Sequence, residues 1–160
     1  MENKKNCCKD VCKDIPKPLA HYAVARRAGQ MLYLAGIVAA DPKRGMVINS
    51  YRDLEDEAGR ALETGDMSVD YQEGRVGAQT WFIFSTMKKV LEENGTSLDN
   101  VLKLTTYMKD ISQFPAYVRV RTMFFPENPP ASTVVEIKEL LPTNESLLEV
   151  EAVAYIPEGK

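Results

Sequence analysis

Few residues in this chain have the type and spacing to do chemistry. Glu149 and Glu151, in "LLEVEAVAYI", lie two apart. On a strand that spacing puts both carboxylates on one face, because successive side chains leave opposite sides. A carboxylate facing a cleft can take or give a proton, whereas one facing water is merely solvated. From the residues alone Glu149 is open to either reading. Ser132 stands at the mouth of another strand, "PPASTVVEIKELL" (129–141), where Ala131, Thr133, Val135 and Ile137 alternate with Ser132, Val134 and Glu136. Cys7, Cys8 and Cys12 crowd into "CCKDVC", and the one histidine, His21, follows two prolines. A metal site would need a fourth ligand, and an odd cysteine count is poor material for a disulfide framework. We read an oxidisable tail there, with no metal and no cofactor.

The elements that position these residues are legible from periodicity. Residues 1–18 lack it and form an N-terminal tail expected to be flexible, and 19–160 form one domain. "HYAVARRAGQMLYLAGIVA" reads as a β-hairpin, and "DPKRG" as a turn. The acidic stretch at about 49–70 reads as either a solvated excursion with a short helix or a lid. Asp70 and Glu73 have capping-box spacing ahead of a long helix. That helix turns Val76, Thr80, Ile83, Phe84, Met87 and Leu91 to one face and ends at Gly95. A strand at 100–110, a second helix, "SQFPAYVRVRTMFF", and the strands bearing Ser132 and Glu149 complete the order β-β-α-β-α-β-β. This predicts an α+β fold with two helices on one face of a mixed sheet. Glu149, Glu151 and Tyr155 share the strand face opposite the apolar row Leu148, Val150, Ala152, Ala154 and Ile156. A sheet face left partly polar in this way is commonly covered by self-association.

Composition narrows the class. At 160 residues, 44% hydrophobic and 27% charged, the chain suits a single globular domain. A net charge of −3 argues against a nucleic-acid partner. The longest apolar run, "MLYLAGIVAA", is too short to span a bilayer, and no secretory leader is read, so a cytoplasmic location away from membranes is expected.

Three stretches, "RRAGQMLYLAG", "VLKLTTYMKDISQF" and "PPASTVVEIKELL…LLEVEAVAYIP", resemble the RidA/YjgF family, also called L-PSP endoribonuclease-like. The resemblance runs over residues 16–157, apart from about 49–70, which it implies is an insert in the family pattern. It implies the chorismate-mutase-like fold, a homotrimer with a central barrel, and ligand sites in clefts between subunits. It also implies a small-molecule substrate, since the best-known members hydrolyse 2-imino acids and their enamine tautomers to keto acids and ammonia. In those members an arginine two residues after the strand's proline grips the substrate carboxylate, and a glutamate holds the water. Carried over by position, Glu149 is the water-holding glutamate, Gly36 the backbone contact and Tyr22 the N-terminal aromatic. Ser132 stands where the arginine would be, with Val134 beyond it on the same side of the strand. A hydroxyl cannot replace a guanidinium fork. Arg26, Arg27, Arg119 and Arg121 read first as surface or interface residues, and alternatively one of them supplies positive charge from another direction. The lost anchor predicts a specialised enamine or imine substrate, 2-aminomuconate-like, over simple 2-iminopropanoate. The alternative is a non-catalytic trimer that binds a metabolite. Ribonuclease activity is disfavoured by the acidic balance.

Overall fold

The structure, a computed structural model, describes residues 20–63 and 71–158. The N-terminal tail with its cysteines, the Asp70 cap and the end of the insert (64–70) lie outside the described residues. The hairpin expected near the start is formed by β1 (Ala25–Ala28) and β2 (Met31–Val38). Gly29 makes its turn at φ +61°, a conformation that side chains with a Cβ avoid. β3 (Ala40–Asp41) and β4 (Met46–Val47) add a two-stranded ribbon. Its "DPKRG" turn closes as Asp41 accepts from the Lys43 and Arg44 amides and from Arg44 Nε at 2.6 Å. The four-residue α1 (Glu57–Arg60) lies in the insert. Then come α2 (Tyr71–Glu93), β5 (Val101–Met108), α3 (Phe114–Phe124), β6 (Ala131–Glu136) and β7 (Leu148–Tyr155).

The five long strands form one sheet in the order β1-β2-β7-β5-β6. All neighbours are antiparallel except β5 and β6. Parallel pairing there follows from the α3 crossover that joins those two strands. The helix side of the sheet is set by alternation. Leu104, Thr106, Met108, Leu148, Val150, Ala152 and Ala154 are all buried, and so are the six α2 residues expected to face them. Burying each large aliphatic side chain contributes about 1.5–3 kcal/mol, which holds the layers in register. The end of α2 is closed by the glycine read from sequence. Gly95 sits at φ +78° and donates to the Glu92 carbonyl, while the Thr96 amide reaches Leu91. Among the described residues no helix is long and apolar enough to cross a membrane.

The described part of the insert docks on the helix layer. Asp56 caps α1 through the Ala58 and Gly59 amides and also accepts the Trp81 indole N–H at 2.8 Å. A Cβ on Gly59 would lie 2.6 Å from Trp81 Nε1, so only glycine lets α1 come this close. Residues 51–60 therefore lie over α2, on the side of the sheet away from Glu149.

Candidate functional site

The face of the sheet without helices is where Glu149 lies. Cross-strand register puts Glu149 between Val38 of β2 and Tyr107 of β5, and Glu151 beside Thr105. Between Leu34 and Ile37 the register slips, so Ala35 and Gly36 together oppose Glu151 alone, a β-bulge. The bulge brings the Gly36 backbone under the Glu149 side chain. A Cβ on Gly36 would lie only 1.7 Å from Glu149 Oε1. Two residues named from sequence thus meet, for a definite reason: the carboxylate occupies the space a side chain would fill.

Glu149 is half-buried, and burial pushes its carboxyl above the ordinary glutamate range, with Glu151 adding to the effect. Among the described residues no lysine or arginine offsets it. Tyr107 donates its hydroxyl to Glu151 Oε1 at 2.9 Å, and this bond holds the phenol's own titration high. Sequence reasoning missed the phenol. Its one signal was its place in the row Lys103, Thr105, Tyr107, on the same face as the glutamates.

The other candidates lie elsewhere in the chain. Tyr22 is exposed, two residues before Val24, whose carbonyl accepts the Ala35 amide at the bulge. The N-terminal segment therefore runs beside Gly36. Ser132 pairs with Leu104 and Val134 with Thr106, so both belong to the helix side of edge strand β6. Val134 packs against the core. The sheet thus separates Ser132 and Val134 from Glu149 within one chain.

Ser132 is not without a cation. Arg121 of α3 donates from Nη1 to Ser132 Oγ at 3.1 Å, with its guanidinium 5.5 Å from the centre of the Tyr117 ring. Tyr117 is itself buried and hydrogen-bonded to Thr106 at 2.8 Å, which makes the platform rigid. No carboxylate among the described residues pairs with Arg121, so the remaining guanidinium donors stay available to an anion. Among the described residues no group of three or more His, Cys, Asp or Glu is placed to hold a metal ion.

Known proteins share this arrangement of elements. The protein family described as Endoribonuclease L-PSP matches residues 12–156. A RutC family protein of Pyrococcus horikoshii is 32% identical over 143 residues, covering 89% of this chain and 93% of its own length. The 3-aminoacrylate deaminase RutC of Acinetobacter baylyi is 28% identical over 141 residues, covering 88% and 91%. A solved Klebsiella pneumoniae structure, designated a candidate endoribonuclease, superposes with a TM-score of 0.80 at 38% identity, covering 85% of this chain and 100% of that one. With the helix-backed mixed sheet, the glutamate row and the glycine beneath it, these matches show that the chain belongs to the RidA/YjgF family.

Proposed function

We propose that this protein is an enamine/imine deaminase, hydrolysing the C–N bond of a small carboxylated metabolite to a carbonyl compound and ammonia. The observation that carries the reading is Glu149, a half-buried carboxylate with no counter-charge among the described residues, seated on the Gly36 backbone. Such a group can hold a water against an electrophilic C=N carbon and exchange its proton as the water adds. The likeness to a 3-aminoacrylate deaminase supports the same chemistry and a small, acidic enamine as substrate. A longer acidic enamine, 2-aminomuconate-like, belongs to the same class.

In this reading Arg121 takes the place of the arginine absent at Ser132. The Ser132 hydroxyl and the Tyr117 ring hold the guanidinium ready, so its free donors can grip a substrate carboxylate. Arg121 and Glu149 lie on opposite sides of one sheet, so a single cleft takes the β6 edge of one copy and the open face of another. The homotrimer expected from sequence supplies that geometry. Supporting it, the open face exposes Tyr33 (49%), Tyr155 (38%) and Val135 (39%), apolar surface suited to a neighbour.

The test is ammonia release from 3-aminoacrylate, 2-aminomuconate and 2-iminopropanoate, each generated in situ, alongside light scattering. Turnover of a carboxylated enamine by a trimer, lost in Glu149→Gln, is the expected result. Ligand binding with equal ammonia release by both proteins would leave a metabolite-binding module instead. A monomeric mass at micromolar concentration would remove the shared cleft.

A further inference from the structure

Beside Glu149 stand a carboxylate and a phenol to which the hydrolysis above gives no role. Tyr107 faces Glu149 directly across the β5–β7 pair, yet its hydroxyl reaches diagonally to Glu151 Oε1 at 2.9 Å. Glu151 is held between this phenol and the Ala35–Gly36 bulge it opposes. Among the described residues Glu151 is the charged group that bears on Glu149. The other groups facing it from β2 are Gly36 and Val38, and further along Tyr33. From β6 come Thr133 and Val135. Of the cations on β5's open face, Lys103 bonds Thr133, and Lys109, just past the strand's end, is engaged by the Asn144 carbonyl at 3.2 Å and Glu139 at 3.5 Å. Tyr155 lies at the far end of β7.

We propose that Tyr107 and Glu151 are positioning residues for Glu149: the phenol pins Glu151, and the pinned carboxylate, two residues along on the same strand face, sets the negative field that Glu149 meets. The proposal rests on the role given to Glu149 above. The directions of titration agree with it, since Glu149 is raised by burial and by Glu151, and Tyr107 by its bond to Glu151. A glutamic acid, rather than a glutamate, is the form that can begin with an enamine. Its proton goes to the enamine carbon as the C=C pair forms the new bond to hydrogen and the nitrogen lone pair closes C=N. The carboxylate so formed takes a proton from the water that adds to the C=N carbon, which restores the acid. In the resulting carbinolamine the hydroxyl proton passes to nitrogen, the C–N bond breaks with its pair on nitrogen, and C=O forms. The sum is enamine plus water giving carbonyl compound plus ammonia. An imine substrate instead takes the Glu149 proton on its nitrogen, which gives the same iminium and carboxylate and leads into the second step.

The experiment follows the side-chain carboxyl carbons of carbon-13 glutamate-labelled protein by NMR against pH, on the assembled protein, with the Glu149 signal assigned by its loss in E149Q. In the wild type the Glu149 midpoint should lie above the ordinary glutamate range. It should fall in E151Q, and fall by less in Y107F, where Glu151 remains but is no longer pinned. The series is repeated with R121A, which removes any opposing field from a neighbouring copy. An unmoved midpoint in E151Q overturns the proposal, and movement in E151Q alone overturns the role of Tyr107. The kcat profile for an enamine should decline with rising pH through the same midpoint. Glutamate titration as stated in a protein that releases no ammonia would sink the deaminase reading and the proton transfers built on it, and leave only the coupling of Tyr107 and Glu151 to Glu149 standing.

Discussion

Gly36→Ala tests the site at its tightest point. The added Cβ would fall 1.7 Å from Glu149 Oε1, 2.6 Å from Cδ and 2.9 Å from Cγ, where real Cβ atoms essentially never come under 3.0 Å. The carboxylate oxygen must therefore retreat by at least 1.3 Å, and because Cγ is also too close, the whole side chain must turn about χ1. Displacing a catalytic group by about 1 Å costs about 10²-fold in rate. We expect kcat to fall about 100-fold on a carboxylated enamine. Stability should hardly change. Forcing the side chain off its rotamer costs about 0.5–1.5 kcal/mol, and replacing a strand glycine with alanine returns about 0.5–1 kcal/mol. The melting temperature should stay within about 2–4 °C of wild type. The double variant Gly36→Ala/Glu149→Gln should be no slower than Glu149→Gln alone, since both remove one function. Ammonia release within twofold of wild type by an intact Gly36→Ala assembly would refute the placement of Glu149 in the mechanism.

Glu149→Gln should lower turnover about 10²–10⁴-fold while making the protein more stable at neutral pH. The sign follows from linkage: the folded carboxyl titrates above its unfolded value, so stability falls as pH rises through that window and the penalty is complete above it. Thermal melts from pH 4 to 8 should show the wild type losing this margin as pH rises and the variant not. Arg121→Ala should raise KM for carboxylated substrates about tenfold to a hundredfold, the value of a charge-assisted pair at about 1.5–3 kcal/mol. Ser132→Arg should restore much of that loss in the Arg121→Ala background but add little to wild type; a large gain on wild type would show that Arg121 is not the anchor. Trp81→Phe removes the indole N–H that Asp56 accepts, which costs about 1 kcal/mol and should hasten proteolysis within residues 51–60 without changing kcat.

Local periodicity carried much of the architecture. The α2 face from Val76 to Leu91, the Gly95 cap and the alternation along β7 depend on contacts within a few residues, so the sequence alone determined them. It also determined that Glu149 lies opposite the apolar row. It could not say what stands next to Glu149, because neighbours across a sheet come from strand order and register, which distant segments decide together. The Ala35–Gly36 bulge exists only relative to β7, and it is what puts Gly36 beneath the carboxylate. Tyr107 and Glu151 are 44 residues apart in the chain and meet only when β5 pairs with β7. Ser132 presents the sharper case. Its strand alternation was plain, but which side of the sheet it joins follows from pairing with Leu104, and its cation arrives from the next helix inward. A serine in place of an arginine reads as a lost charge along the chain; folding α3 against β6 returns a guanidinium to it, because the crossover that makes these strands parallel lays Arg121 beside Ser132.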